Sequence, residues 1–266
     1  MMSKPPVCLT IAGLDPSGGA GVIADIKTFS AFGCFAAAAI SSITFQNTMG
    51  VFGAEHQTAE TVRRQVEPII EDYDIAALKT GMLPTREVIE EVARLKAKMP
   101  SARFVVDPVV RSTSGYDLID KAALASLIKV LFPLADLITP NRPEAERISG
   151  IAIESFEDIE AAASVMREMG ARNVLIKGGH FESDRTEPRK AIDYLFLEGE
   201  LQTFDADFVD TTATHGTGCT LAAAIAANLA LGKHLREAVG VAKDFVTNAI
   251  RTAPMLGRGH SPINLL

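Results

Sequence analysis

Short apolar runs rich in β-branched residues alternate along this chain with longer segments of helical period, and that alternation limits the folds open to it. The runs VCLTIAG, IAALKTGM, RFVVDPVV, DLITPN and NVLIKGG are interleaved with ADIKTFSAF, TREVIEEVARLKAKM, KAALASLIKVLF, RPEAERISG and FEDIEAAASVMREMG. Such strand–helix alternation builds βαβ units around a mostly parallel sheet. Thr85 before REVIEE marks one helix start. Ser155 marks another, with Asp158 three residues on predicting a capping box. The pattern breaks at KAIDYLFLEGELQTFDADFVD, where two strand-like runs flank Glu198-Gly199 with no room for a helix, so a hairpin is predicted there. Two helices, CTLAAAIAANLALG and LREAVGVAKDFVTNAI, follow with no strand between them. The polar stretch GHFESDRTEPRK reads as a mobile loop.

The 266 residues, 47% of them hydrophobic, supply the core of one large α/β domain, and no repeat or linker divides them. A single domain over 1–266 is expected. A formal net charge of -7 with no Lys/Arg cluster argues against a nucleic-acid partner and for a small substrate. Cys8, Cys34 and Cys219 have no metal-ligand spacing and cannot all pair, which suits a reducing cytosol. The N-terminal apolar run is too short for a signal-peptide core, and the longest apolar segment falls short of the ~20 residues that span a bilayer. A soluble, cytoplasmic protein is therefore expected.

In open parallel sheets ligands bind at the carboxyl ends of strands. Asp107 after FVV, Asn141 and Glu144 after LIT, and Lys177 after VLI all fall there. Asn141 and Glu144 suit Mg²⁺ held largely through water and phosphate; as a helix cap and its third residue they fit a capping box equally well. Asp107 either orients metal-bound water or ends its strand. Lys177 with Gly178 and Gly179 either meets phosphate oxygens or is a solvated strand end. Gln46, in TFQNTMG, offers an acceptor and donors that match the edge of a heterocycle; its bland reading is a polar strand end. Gly19-Ala20-Gly21-Val22-Ile23-Ala24 fits G-x-G-x-x-A, yet Asp15-Pro16-Ser17 lengthens the turn and no acid ends the next apolar run. In THGTGCT two glycines precede a helix, so successive N–H groups face an anion and are expected to favour ionisation of Cys219. His215, four residues earlier, is a candidate partner for that thiol, or else a solvent-facing or capping histidine.

Taken in order, LTIAGLDPSGGAGVIADIKTFSAFG, QNTMGV, KTGML, VVDPV, LITPNRPEA, KGGH and HGTGCTLAAAIAANLA span nearly the whole chain. Together they resemble the ribokinase-type small-molecule kinases, and among them the hydroxymethylpyrimidine/phosphomethylpyrimidine kinases of thiamin biosynthesis. The resemblance implies a ribokinase-like three-layer α/β/α sandwich with a mostly parallel central sheet. It also implies ATP and Mg²⁺ as cofactors, a homodimer, and two successive phosphorylations of the pyrimidine. By the same resemblance, Gly216, Gly218 and the Cys219 N–H form the anion hole, and Cys219 stands where the wider superfamily has an aspartate base. Gln46 reads the pyrimidine, and Asp25, Gly13, Met82 and Val109 line its pocket. Lys177, Thr217 and Asn141 serve the nucleotide, with Glu144 and Asp107 on the metal, and the loop around Glu182 to Pro188 borders the nucleotide.

The nearest rival is a pyridoxal kinase on the same scaffold, disfavoured by the QNT element at Gln46. From another class, Cys219 with His215 would be a nucleophile and base for acyl transfer. Such an enzyme has no use for Asn141, Glu144 and Lys177.

Overall fold

Each parallel strand sends alternate side chains to opposite faces, and those faces set the layers of the fold. The structure, a computed structural model, describes residues 4–110, 119–178 and 189–265. The first half runs β1 (Val7–Leu14), α1 (Gly21–Ala31), β2 (Phe35–Asn47), β3 (Gly50–His56), α2 (Ala59–Asp72), β4 (Ile75–Thr80), α3 (Arg86–Ala97) and β5 (Arg103–Val106). The second runs α4 (Lys121–Ser126), β6 (Leu137–Ile138), α5 (Arg142–Ser149), α6 (Phe156–Glu168), β7 (Val174–Lys177), β8 (Lys190–Leu197), β9 (Glu200–Asp207), α7 (Thr217–Ala230) and α8 (Leu235–Arg251). Among the described residues one sheet has the order β3-β2-β1-β4-β5-β6-β7-β8-β9. The strands from β2 to β7 in that order are parallel, and antiparallel β3 and the β8–β9 pair form the two edges.

One sheet face packs Leu9, Ile11, Leu78, Phe104, Val106 and Ile138 against α2 to α6. The other packs Cys8, Ala77, Val105, Leu137 and Leu175 against Phe29 of α1 and the apolar sides of α7 and α8. The expected three-layer α/β/α sandwich is therefore present. Helix α7, almost wholly apolar, is buried along most of its length, as a helix without a polar face must be.

The caps read from sequence hold. Thr85 accepts the Val88 N–H, and Ser155 and Asp158 make a reciprocal capping box. Glu198 and Gly199 both take left-handed φ, 54° and 94°, which a two-residue turn matched to strand twist requires. The helix predicted over KAALASLIKVLF changes form part-way: after α4 the backbone continues as a π turn over Leu127–Leu131 and a 3₁₀ turn over Phe132–Leu134.

The apolar strand expected ahead of Gln46 and Asn47 is β2, but its partner β3 and helix α2 are absent from the sequence-based reading. GVFGAEH carries two glycines and no clear alternation. Tertiary bonds supply what local preference lacks: the Thr48 carbonyl accepts the His260 N–H at 2.8 Å, and the Thr48 hydroxyl accepts the Arg258 N–H at 3.2 Å. The polar loop predicted around Glu182 to Pro188 lies outside the described residues.

Candidate active site

Two residues beyond the last apolar rung on the α7 face, the strands carry Thr10, Lys79, Asp107, Thr139 and Lys177 in place of the hydrophobic Cys8, Ala77, Val105, Leu137 and Leu175. Period-two alternation thus puts a polar row on one side of the sheet, under the start of α7. The row is internally paired. Asp25 on α1 accepts from Lys79 Nζ at 2.8 and 2.9 Å and from the Thr10 hydroxyl at 2.6 Å. Asp107 accepts from Lys177 Nζ at 2.8 Å and from the Thr139 hydroxyl at 3.0 Å. Charges this deep persist only when paired and hydrogen-bonded.

Above this row a cavity of about 630 Å³ opens at the carboxyl ends of β1 and β4. Strand β2 lies on one side of β1 and β4 on the other, so this is the topological switch point where an open α/β sheet binds ligands. One wall is the start of α7. Gly216 caps it with φ +86°, and a Cβ there would lie 1.8 Å from the Gly19 carbonyl oxygen, so only glycine fits. The Thr217 N–H is taken by the Thr214 carbonyl at 3.3 Å and the Thr220 N–H by the Gly216 carbonyl at 2.9 Å. Among the described residues the N–H groups of Gly218 and Cys219 have no backbone acceptor, the usual state of a helix start. A Cβ on Gly218 would lie 3.2 Å from Lys177 Nζ. Lys177 Nζ and the start of α7, with its unpaired N–H groups, therefore border the same part of the cavity.

The turn is held from below. Asp15 accepts the Ser17 N–H at 2.8 Å, the Ala20 N–H at 2.9 Å and His215 Nε2 at 2.7 Å. Burial works against the Asp15 carboxylate, but His215 and Ser17 outweigh it and hold the carboxyl below its ordinary value. The β1–α1 turn is thereby fastened to the start of α7.

On the far side, Glu144 and Asn141 form a full capping box: Asn141 accepts the Glu144 N–H at 2.9 Å, and Glu144 accepts the Asn141 N–H at 2.8 Å. Burial pushes the Glu144 carboxyl up to about 7, with Lys177 opposing the rise and Asp107 adding to it. Burial alone would lower Lys177, yet Asp107 and Glu144 hold its ammonium above the usual value. Gln46 pairs with Val51 near the end of β2 and lines the cavity with Gly13, Met82 and Val109.

The chain matches the phosphomethylpyrimidine kinase family over residues 15–264. It belongs to that family. It is 44% identical over 264 residues to the hydroxymethylpyrimidine/phosphomethylpyrimidine kinase of Haemophilus influenzae, covering 99% of this chain and 97% of that one. Among solved structures it resembles the phosphomethylpyrimidine kinase of Clostridium difficile with TM-score 0.80 and 40% identity, over 92% of this chain and 99% of the other. It also resembles the pyridoxal kinase of Staphylococcus aureus in complex with AMP-PCP, with TM-score 0.89 and 32% identity, over 99% and 94% of the two chains.

Of the residues that the phosphomethylpyrimidine kinase resemblance singled out, Gly13, Gln46, Met82, Asp107, Val109, Asn141, Glu144, Lys177, Gly216, Thr217, Gly218 and Cys219 all line the one cavity. The Thr217 hydroxyl donates to the Thr214 carbonyl at 3.0 Å. Asp25 does not line the cavity. Its side chain is fully buried and committed to Lys79 and Thr10, because it faces the sheet from the first turns of α1. His215 is neither a partner of the thiol nor a solvent-facing side chain; its ring goes to Asp15. Asn141 and Glu144 are a capping box and cavity residues at once, so the two readings of that pair are compatible. Lys79 escaped the sequence reading because a lysine inside IAALKTGM looks like a strand end, and Asp15 because it reads as a turn residue. Asp193, which accepts Lys243 Nζ at 2.9 Å and the Gly178 N–H at 3.2 Å, escaped inside a predicted hairpin. A charged residue in an otherwise apolar strand is the one local signal that marks Lys79 and Asp193.

Burial works against the ionisation that the helix start favours at Cys219. Burial pushes its thiol up to about 11, against the pull of Lys79, with Asp107 and Asp25 adding to the rise and the Gly21 N–H opposing it. The helix start does not offset the loss of water and two nearby carboxylates. At pH 7 only ~10⁻⁴ of a thiol titrating near 11 is ionised, and that fraction grows about tenfold per pH unit. Iodoacetamide labelling of Cys219 in the ligand-free protein, followed by peptide mass spectrometry, should accelerate about tenfold per unit from pH 7 to 10. A plateau near neutral pH would show that the thiolate already dominates. Cys8 and Cys34 are buried and do not confuse the readout.

Proposed function

We propose that this cavity transfers the γ-phosphoryl group of ATP to the hydroxymethyl oxygen of 4-amino-5-hydroxymethyl-2-methylpyrimidine, and then a second to the resulting monophosphate, in thiamin biosynthesis. The observation that carries the reading is the placement of Lys177 Nζ beside Gly218 in the cavity wall that also holds the start of α7, whose Gly218 and Cys219 N–H groups have no backbone acceptor among the described residues. Phosphoryl transfer calls for positioning and for positive groups aimed at three equatorial oxygens, and this wall supplies them. The substrate alcohol attacks phosphorus in line, the bond from phosphorus to the bridging oxygen breaks, ADP departs, and the alcohol proton passes to Cys219 Sγ. Because burial keeps the resting thiol largely protonated, Cys219 accepts that proton only in its minor thiolate form. Gln46 presents its amide to the ring nitrogen and amino group of the pyrimidine.

Among the described residues no three His, Cys, Asp or Glu side chains are grouped to hold a metal. Glu144 and Asp107 fit Mg²⁺ all the same, since that ion is commonly held by one or two carboxylates plus water and substrate phosphates. When bound, Mg²⁺ neutralises phosphate charge; Lys177 and the capping box keep the two carboxylates in place. Asn141 and Thr217 border the nucleotide phosphates.

We assign the chain a homodimeric state through the outer face of the β2–β3 hairpin. The inner face carries Thr44 and Gln46 toward the cavity, while Ile43, Phe45 and Phe52 stand exposed, Phe45 at 52% and Phe52 at 70%. Exposed apolar clusters of this kind are typical of interfaces. The expected compartment is the cytoplasm, which supplies ATP and keeps the free cysteines reduced.

Removal of a general base costs ~10²–10⁴-fold, so Cys219→Ala should lose that much kcat with KM little changed; unaltered turnover would make the thiol a spectator. ADP release measured over hydroxymethylpyrimidine, its monophosphate and pyridoxal should give the highest kcat/KM with the pyrimidines. A clear preference for pyridoxal would transfer the assignment to the rival kinase. Light scattering should report a dimer for the parent and a larger monomer fraction for the Phe45→Ser/Phe52→Ser variant; two monomeric profiles would refute the hairpin interface.

A further inference from the structure

Lys79 is the most confined cation in the site. Its side chain and that of Asp25 are both 0% exposed, and neither lines the cavity. The ammonium nevertheless sits just beneath the floor. A Cβ added to Gly81, which does line the cavity, would lie 3.1 Å from Lys79 Nζ. Helix α7 packs on β4 and β5 here, and the sulfur of Cys219, which lines the cavity, interacts electrostatically with the ammonium of Lys79 below it. A buried lysine that touches no ligand needs another reason to be there, because an ion pair at this depth is often no more stabilising than an apolar pair of the same volume.

We propose that Lys79 is a positioning residue that acts through Cys219: a fixed cation under the floor, kept in place by Asp25 and Thr10, that stabilises the negative sulfur when it accepts the substrate proton. This rests on Cys219 being the proton acceptor. The supporting geometry is the pairing itself. Asp25 takes both of its charge-assisted bonds from Lys79 and a third from Thr10, so the ammonium is anchored without being reached by substrate. Four charged groups from neighbouring elements act on the thiol electrostatically: Lys79 on β4, Asp107 just beyond β5, Lys177 on β7 and Asp25 on α1. Lys79 is the strongest of the influences that favour the thiolate, and Asp25 opposes it less strongly. Burial alone would lower the Lys79 ammonium, but Asp25, Cys219 and Asp107 hold it above its ordinary value, so it stays charged throughout the working pH range.

The two members of the pair therefore have opposite signs of effect, which a purely structural role does not produce. Lys79→Met removes the cation and should slow iodoacetamide labelling of Cys219 at pH 9 about tenfold, equivalent to one pH unit. Asp25→Asn leaves the ammonium without its carboxylate and should speed labelling about tenfold, with the pH profile of kcat displaced to lower pH by a similar amount. If Lys79→Met does not fold because it strands a buried carboxylate, Lys79→Met/Asp25→Asn removes both charges and should still label more slowly than the parent. KM for ATP and for the pyrimidine should stay within about twofold in every variant, since neither side chain meets a ligand. Opposite displacements for Asp25→Asn and the cation-less variants establish the inference. Displacement of all variants in one direction, or labelling within twofold of the parent in each, overturns it. Labelling is read without nucleotide or pyrimidine, so the outcome is independent of whether the parent phosphorylates a pyrimidine.

Discussion

The charges under the start of α7 must cancel in place, because the sheet below and the helix above leave little water to do it for them. Asp25 with Lys79 and Asp107 with Lys177 form two ion pairs along one sheet face, and Thr10 and Thr139 each donate a further bond to the carboxylates. Pairing of this quality lets five neighbouring strands carry polar residues at a depth where isolated charges would neutralise or draw the fold apart. It also fixes where α7 begins. The helix arrives over the row with its own positive end, and Gly216 alone permits the left-handed turn that brings it against the Gly19 carbonyl.

The thiol at this junction illustrates how competing fields are weighed. A helix start and a nearby lysine favour a thiolate, yet burial and two carboxylates win, and the thiol stays protonated until well above neutrality. A loose phosphoryl-transfer transition state asks little of a base early in the reaction, since the attacking hydroxyl gives up its proton late. A weakly ionised cysteine is therefore compatible with the chemistry. The same burial that disfavours its charge keeps water from competing with the alcohol.

The capping box at Asn141 and Glu144 makes a related point. Its bonds are those of any well-capped helix, and they stabilise α5 whether or not a ligand is present. They also fix a carboxylate beside Asp107 and Lys177, so a stability device and a charge device share the same atoms. Asp15 and His215 act likewise across 200 residues of sequence, joining two glycine turns that local geometry alone would leave free to separate.

Much of the framework was legible because it is written in short-range periodicity. Strand–helix alternation gave the parallel sheet, Ser155 and Asp158 gave a cap, and Glu198-Gly199 gave the β8–β9 turn, each a property of a few adjacent residues. The residues of the cavity wall could be picked out where they end strands or open helices. The pairing of β2 with β3 was not legible, since β3 carries glycines with little preference and Thr48 finds its partners near the C-terminus. Nor were the destinations of Asp25, His215 and Lys79. Side-chain alternation decides which face a strand residue takes, but whether that face meets solvent, substrate or an opposite charge depends on which helix lands on it. The sequence by itself determined the secondary elements, their caps and the residue types available for phosphate chemistry. Only the tertiary structure decided which charges pair and how far the thiol is desolvated, because those energies depend on distances between segments far apart in the chain.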